Sequence, residues 1–265
     1  MTNQEWGRDA LGDRMKAYED QYRVKLPKRQ FVMVRLDGKA FHSFTKGFDR
    51  PWDTRLVRAM QATTNYLCQK MGGAVLGYSQ SDEISILLAP GAKLTSEPWF
   101  DNNLQKIVSV SASMCTSFFN EVINFNPRDT DMQRREANFD SRAFILPEDE
   151  VVNYFIWRQQ DATRNSVQMM ARSLFSHAEC TNKNTHDLMD MIVAKGQNWN
   201  SVNTDFKRGA CCKKESYSVP VDPKWRQSTD AETVDRSIWT TDLDTPIFTQ
   251  ARSYVTNTFP KKEVE

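Results

Sequence analysis

The hydrophobic positions change period along the chain, and these changes predict its first helices and strand. Residues 7–22 show the spacing of a short amphipathic helix. Residues 31–34 form an apolar, partly β-branched run that is typical of a buried strand, and Gly38 then ends it. Hydrophobic side chains recur at helical spacing over residues 53–71, with Asp53 as the N-cap. The chain is therefore expected to begin helix, strand, helix.

The segments that follow complete a recognisable order of elements. Residues 74–89 predict a hairpin with its tip at 81–83. Residues 102–122 predict a second long helix, and residues 139–146 a fourth strand that leads into a further helix. The order strand, helix, strand, strand, helix, strand predicts an α+β fold of the ferredoxin-like type, with two helices on one face of an antiparallel sheet. The other face is expected to be open to a substrate.

Weak periodicity near the C-terminus sets the expected domain division. We expect residues 1–215 to form a catalytic domain with helical additions, including a small helix at 186–194. Residues 216–265 are rich in Asp, Thr and Pro, and we expect an irregular extension there.

Composition favours a cytoplasmic protein. No apolar stretch is long enough to cross a bilayer, and the polar N-terminus is unlike a secretory signal. The cysteines number five and lack C-x-x-C spacing, which predicts free thiols rather than a zinc or redox site. The net charge is only +1, so a nucleic acid would have to be held by local basic patches.

Three groups of basic residues could form such patches, although charged runs are also typical of solvated helix faces. The groups are Arg128, Arg134 and Arg135; Arg158, Arg164 and Arg172; and Lys207, Arg208, Lys213 and Lys214.

Two acidic motifs predict the chemistry. Asp37 follows the first strand, where an acid is costly to bury unless it is paired or bound to metal. Asp82 and Glu83 stand at the predicted hairpin tip, which in this topology lies beside the end of the first strand. Converging carboxylates repel each other, and a divalent cation is the usual remedy. We therefore expect Asp37, Asp82 and the Gly38 carbonyl to hold two magnesium ions for phosphoryl transfer.

The residues after Gly38 suit a triphosphate. Lys39, Ala40, Phe41 and His42 can form a turn whose backbone N–H groups, with the Lys39 and His42 side chains, would face phosphate oxygens. Taken alone, Asp-Gly is equally typical of a plain turn, and Asp82-Glu83 of a solvated hairpin tip.

Several ordered motifs resemble one family, and the resemblance spans about residues 26–213. The motifs are Arg35-Leu36-Asp37-Gly38 with Phe41-His42, Ser81-Asp82-Glu83, Phe139-Asp140-Ser141-Arg142, Trp157-Arg158-Gln159 and Lys207-Arg208-Gly209. They are similar to those of the tRNA-histidine guanylyltransferase superfamily, whose polymerase-like palm adds nucleotides in the 3′ to 5′ direction.

The resemblance implies roles for individual residues. Asp37, the Gly38 carbonyl and Asp82 would bind two magnesium ions, and Glu83 would be a further acid at the catalytic centre. Residues 39–42 with Ser81 would contact a nucleoside triphosphate, ATP or GTP, and Lys106 would contact phosphate.

One departure from the family pattern bears on the substrate. Eukaryotic members carry His-Ile-Asn-Asn-Leu-Tyr-Asn-Thr after the Trp-Arg-Gln motif, whereas residues 163–170 here keep only Asn165 in place. This resembles the Thg1-like proteins of bacteria, archaea and phages, which implies template-dependent repair of tRNA 5′ ends, commonly by a homotetramer. Expected RNA contacts are Arg158, Arg164, Asn165, Lys207 and Arg208.

Other functions remain open at this stage. The chain could add the extra 5′ guanosine to histidine tRNA, as eukaryotic members do. A nucleotide-cyclase-like palm would also combine such a sheet with two metals, and a non-catalytic RNA-binding module is the alternative of another class.

Overall fold

The computed structural model describes residues 10–91, 96–125, 136–220 and 233–260. Six strands form one sheet in which every paired neighbour is antiparallel. The strands are β1 (Phe31–Gly38), β2 (Ala74–Gln80), β3 (Glu83–Leu88), β4 (Phe139–Leu146), β5 (Ala210–Pro220) and β6 (Thr233–Asp242). Their order across the sheet is β4-β1-β3-β2-β5-β6.

Helices occupy the connections between these strands. They are α1 (Ala10–Asp20), α2 (Phe41–Phe44), α3 (Thr54–Lys70), α4 (Leu104–Ile123), α5 (Glu148–Leu174), α6 (His177–Cys180), α7 (Thr185–Ala194), α8 (Thr204–Arg208) and α9 (Ser253–Thr256). Single 3₁₀ turns lie at Trp99–Asn102 and Trp199–Ser201. The predicted helix at 53–71 and the predicted strand at 139–146 are confirmed, and the bounds of the strand agree to the residue.

Helices α3 and α4 cover one face of the sheet. Even-numbered residues of β1, such as Val34 and Leu36, pack with Leu67 of α3 and with Phe119 of α4 in one apolar cluster. Strands alternate their side chains between two faces, so these even positions share a face. The expected mixed α and β fold with two helices on one face is therefore confirmed.

The opposite face is not open, which corrects the expectation of an exposed substrate surface there. Odd-numbered Met33 of β1 packs in a second cluster with Phe155 of α5 and with Phe248 and Val255 near the C-terminus. Helix α5 reaches this face because its apolar residues recur at helical spacing, from Val151 onward. Helices therefore pack against both faces of the sheet.

The C-terminal region is more regular than expected. Strand β5 runs through position 215, and β6 pairs with it along ten positions to extend the sheet, so the description as irregular is corrected. The division at residue 215 remains a prediction. The proposed basic patch at Arg128, Arg134 and Arg135 lies outside the described residues.

Within the described ranges, no helix combines the length and apolar character that spanning a membrane would require.

Candidate active site

The end of β1 and the turn between β2 and β3 meet at one edge of the molecule. Asp37 stands opposite Glu83 in the β1–β3 register, and the backbone N–H of Gly38 donates to the carbonyl of Asp82 at 3.0 Å. Directly opposed residues of an antiparallel pair lie within about 4.5–5.5 Å at Cβ. The structure therefore brings together the acidic motifs that the sequence places 45 positions apart, as in Asp37 and Asp82.

The turn after Asp37 depends on a close approach at Gly38. A Cβ added at Gly38 would clash with the ring carbons of the Phe41 side chain. The Phe41 ring is buried against Phe119 and Phe139, at centroid distances of 5.7 and 5.2 Å. Phe41 thus anchors the turn, and any nucleotide contact at this residue falls to its backbone.

Three neighbours of Phe41 remain available to a ligand. Lys39, Ala40 and His42 are exposed. Ala40 adopts the left-handed region, with φ of 53°. A non-glycine residue in that region costs of order 1 kcal/mol, and such outliers cluster at functional sites.

In the turn between β2 and β3, Ser81 also has a positive φ, and the neighbouring Asp82 carboxylate has no ion-pair partner among the described residues. Ser81 has φ of 49°, and its hydroxyl donates to Asp82 Oδ1 at 3.0 Å. Burial raises the pKa of the Asp82 carboxyl, and the nearby charge of Asp37 raises it further. The hydrogen bond from Ser81 lowers this pKa but does not cancel the effect of burial. Across the described residues, neither Asp37 nor Asp82 forms an ion pair with a lysine or an arginine. These two carboxylates are therefore uncompensated.

Glu83, by contrast, is fully engaged by protein cations. Arg158 binds it with two hydrogen bonds, from Nε at 2.7 Å and from Nη2 at 2.9 Å, and Arg35 Nη2 lies 2.7 Å from Oε2. The side chains of Glu83 and Arg158 are each only 5% exposed. Glu83 thus lies at the site, where two arginines neutralise its charge. A direct part of Glu83 in catalysis stays a prediction.

The predicted magnesium ligands fit that ion. In the described segments, no group of three or more His, Cys, Asp or Glu side chains forms a metal site. Mg²⁺ does not need one, because it commonly takes one or two carboxylates and completes its shell with phosphate oxygens and water. Asp37, Asp82 and the Gly38 carbonyl supply that donor set without a competing cation.

Two of the predicted RNA contacts are buried and have partners within the protein. Arg158 is 4% exposed and is bound to Glu83. Lys207 is 9% exposed, and its Nζ donates to the Asn200 carbonyl at 2.7 Å beside the Trp199 ring. Contact of either residue with RNA stays a prediction.

The other predicted RNA contacts are placed differently. Arg164 is exposed, and its guanidinium pairs with Asp161 at 2.8 Å. Arg208 is half-buried, with its Nε lacking a hydrogen-bond partner. These two residues remain candidates for phosphate.

Asn165 lines a cavity that opens beside the hairpin turn. Trp52 and Phe206 stack on its wall, with centroids 5.4 Å apart and ring planes 14° apart. The cavity is narrow, with a volume of about 70 Å³, and it opens to solvent. Other lining residues are Leu56, Met60, Gln61, Ser79, Gln80, Ser81, Ala162, Ser166, Met169 and Asp205.

Lys106 is not brought to this site. It lies in the first turn of α4, whereas Phe119 of the same helix contacts the Phe41 ring. Thirteen residues at 1.5 Å per residue place Lys106 about 20 Å away along the helix. Its phosphate contact stays a prediction.

Sequence reasoning missed several residues of the site. Arg35 stands within a family motif but has no role predicted from the sequence, and the sequence pattern does not single out Trp52, Gln80 or Phe206. An arginine in the apolar β1 strand, which needs a buried partner, was the available signal for Arg35.

Comparisons with known proteins agree with this arrangement. A model of the tRNAHis guanylyltransferase (Thg1) family matches residues 12–147, just over half of the chain. The tRNA(His) guanylyltransferase of Schizosaccharomyces pombe is 29% identical over 228 residues, which cover 80% of this chain and 82% of the relative.

Solved structures extend the likeness to nearly the whole chain. A bacterial tRNA(His) guanylyltransferase (Thg1)-like protein in complex with ATP is 45% identical, with a TM-score of 0.80 over 96% of this chain and 100% of that chain. A bacterial Thg1-like protein in complex with GTP is 46% identical, with a TM-score of 0.77 over 94% and 99%.

The fold, the paired carboxylates and these relatives define a nucleotidyltransferase. The chain belongs to the tRNAHis guanylyltransferase family, as its motifs predicted. Transfer of nucleotides to a tRNA 5′ end in the 3′ to 5′ direction is the activity of this class.

Proposed function

We propose that this enzyme repairs tRNA 5′ ends by template-dependent 3′ to 5′ nucleotide addition, with a polymerase-like palm and two magnesium ions. The 5′-phosphate of an RNA first attacks the α-phosphate of ATP or GTP and displaces pyrophosphate. The 3′-hydroxyl of an incoming nucleotide then attacks the activated 5′-phosphate and displaces AMP or GMP. Magnesium would supply charge stabilisation of the pyrophosphate leaving group and activation of the attacking hydroxyl.

The uncompensated charge of Asp37 and Asp82 carries this proposal. Every other acid in their immediate register, Glu83 and Asp140, has an arginine partner. Two arginines neutralise Glu83, whereas Asp37 and Asp82 beside it have no such partner among the described residues. Their oxygens are therefore available to bind a cation from solution. Their position next to an exposed turn leaves room for phosphates.

The chain's own residues divide the remaining work. The turn at 39–42 offers backbone N–H groups and the Lys39 side chain to the triphosphate. The Ser81 hydroxyl holds the Asp82 carboxylate in orientation. The cavity beside Ser81 suits the base of the nucleotide, because stacked aromatic rings and apolar walls favour a planar ring system.

The altered segment supports repair rather than histidine-tRNA identity. Ser166 and Met169, which both differ from the eukaryotic pattern, line the cavity, so the departure changes the site itself. Identity is also higher to the bacterial Thg1-like proteins, at 45% and 46%, than to the Schizosaccharomyces pombe enzyme, at 29%. Assembly as a homotetramer and a cytoplasmic location stay predictions.

The proposal is tested by nucleotide addition to a panel of tRNAs. With Mg²⁺, ATP and labelled nucleotides, 5′-truncated tRNAs should be extended until the acceptor stem is paired, and the added base should follow the opposite strand. Asp82→Asn should lower the rate by at least about a thousandfold while the fold is retained, because it removes a metal ligand. The matched control Asp190→Asn, an exposed acid on α7, should leave the rate unchanged.

The second candidate is addition of one untemplated guanosine to histidine tRNA, which the names of the relatives favour. Extension of full-length histidine tRNA alone would establish it and contradict the repair assignment. Cyclic nucleotide formed without RNA would instead identify a cyclase-like enzyme, and no reaction with any tRNA would favour an RNA-binding module.

A further inference from the structure

Gln80 lines the cavity beside the active site and carries a buried hydrogen-bond acceptor without a partner among the described residues. The residue is 7% exposed, and its Oε1 makes no hydrogen bond in the described structure. A buried polar atom left unsatisfied costs about 1–3 kcal/mol. Native proteins rarely retain such a cost without a functional reason.

The position of Gln80 links this acceptor to the catalytic turn. It is the last residue of β2 and immediately precedes Ser81 and Asp82. The same cavity is lined by Gln80, Ser81 and the stacked pair Trp52 and Phe206. A nucleotide with its phosphates at the turn would reach the cavity with its base.

Three other polar groups on the cavity wall are already engaged. Gln61 donates to Asp205 at 3.0 Å, and Ser166 donates to the carbonyls of Thr163 and Lys207. Asp53 accepts the first N–H groups of α3. Gln80 therefore differs from these neighbours in having an acceptor still to be satisfied.

We infer that Gln80 is a nucleobase-recognition residue, whose Oε1 accepts a hydrogen bond from an N–H group on the base of the bound triphosphate. This inference rests on the proposed function for the presence of a triphosphate. The aromatic wall of the cavity would bind any planar base, whereas a hydrogen bond to Gln80 would favour bases that carry an N–H donor. The ligand class is a nucleotide whose base carries an amino or ring N–H donor, such as guanine or adenine.

The test is equilibrium binding of nucleotides with Mg²⁺ and without RNA. Gln80→Met keeps the side-chain length but lacks the amide oxygen. It should weaken GTP and ATP binding about fivefold to tenfold, the effect of one hydrogen bond, and leave ribose 5-triphosphate unchanged. The control Gln69→Met, on the exposed side of α3, should bind every ligand as the wild type does.

A ligand lacking the donor tests the same bond from the other side. Purine riboside triphosphate carries no N–H on its base, so the wild type should bind it about fivefold to tenfold more weakly than ATP, and Gln80→Met should bind both alike. This comparison in the wild type holds even if the variant fails to fold. Equal wild-type affinity for the two ligands, or an equal loss for all triphosphates in the variant, would overturn the assignment.

Two further readouts separate this role from others. Without nucleotide, Gln80→Met should unfold at a temperature no lower than the wild type, whereas a structural hydrogen bond at Gln80 would make the variant less stable. If nucleotides bind with the expected dependence on the base but no tRNA is extended, the proposed function fails while the role of Gln80 stands.

Discussion

Asp82, a proposed magnesium ligand, is held in surroundings that lower the stability of the fold. Its carboxylate is half-buried, lies beside Asp37 and has only the Ser81 hydroxyl as a side-chain partner. Charge placed in such surroundings destabilises the folded state until a cation compensates it. Residues that conflict with stability in this way are typical of active sites.

Asp82→Asn should therefore stabilise the protein in metal-free buffer. Removing the repulsion with Asp37 should raise the unfolding midpoint by about 2–4 °C, which corresponds to about 1 kcal/mol for a chain of this size. Thermal unfolding followed by circular dichroism measures this. Mg²⁺ should then raise the midpoint of the wild type but not of the variant. A variant less stable than the wild type would show that Asp82 is compensated by protein groups.

Glu83, unlike Asp82, stabilises the folded protein, so replacing it should lower the free energy of unfolding more than replacing one of its arginine partners. Glu83→Gln removes the carboxylate partner of Arg35 and leaves Arg158 with Asp161 alone, so it should cost about 3–5 kcal/mol. Arg158→Met leaves Glu83 paired with Arg35, so its cost should be smaller. Urea unfolding of the two variants measures the difference. Equal costs, or the reverse order, would contradict the arrangement in which one carboxylate holds two guanidinium groups.

The sequence predicted one half of this site and not the other. Asp37 and Asp82 could be found because each follows an apolar strand at a predicted turn. The pairing of Glu83 with Arg158 joins residues 75 positions apart on different elements, and no local pattern encodes it. The acceptor of Gln80 could not be predicted either, because whether a buried amide finds a partner depends on packing.

At the scale of elements, α3 begins where its capping residue predicts. Asp53 accepts the backbone N–H groups of Arg55 at 2.9 Å and of Leu56 at 3.3 Å. Burial alone would raise the pKa of Asp53, but hydrogen bonds from Arg55, Asp49 and Leu56 outweigh it and lower the pKa to about 2. The charged cap therefore stabilises the fold above the ordinary value of 3.8, and this contribution is lost as the pH falls towards 2.

Asp53→Ala should cost about 1–2 kcal/mol at pH 7, the usual effect of losing an N-cap. Asp53→Asn retains a capping oxygen but no charge, so it should cost less, and its difference from the wild type should shrink as the pH falls from 5 towards 2. Denaturant unfolding over that pH range measures both. A difference that is independent of pH would show that the charge of Asp53 adds nothing to the cap.

Strands were predicted well only where one face or both are buried. The β1 and β3 strands are almost wholly buried and read as apolar runs. The outer part of β5 and most of β6 are exposed on both sides, so they carry no alternation that a sequence pattern could reveal. Backbone pairing between the two strands, rather than burial, forms that hairpin.

At the scale of the whole molecule, the C-terminal segment closes the second core. Gln159 of α5 donates from Nε2 to the Pro246 carbonyl at 2.8 Å and accepts from the Phe248 N–H at 2.9 Å. The Phe248 ring is fully buried and lies 5.9 Å from Tyr78 and 6.4 Å from Phe155, measured between centroids. Residues beyond position 215 thus share a core with the strands that carry the active site.

This shared core predicts one cooperative unfolding transition rather than two. Phe248→Ala should lower the free energy of unfolding by about 3–5 kcal/mol, because it leaves a cavity among rings from β2 and α5. The neighbouring control Ile247→Ala, at a position 39% exposed, should cost less than about 1 kcal/mol. Urea unfolding followed by both circular dichroism and tryptophan fluorescence should give coincident curves for the wild type and for Phe248→Ala, displaced as a whole. An early separate transition in Phe248→Ala, with the rest of the curve unmoved, would instead show that residues 216–265 unfold as a unit of their own.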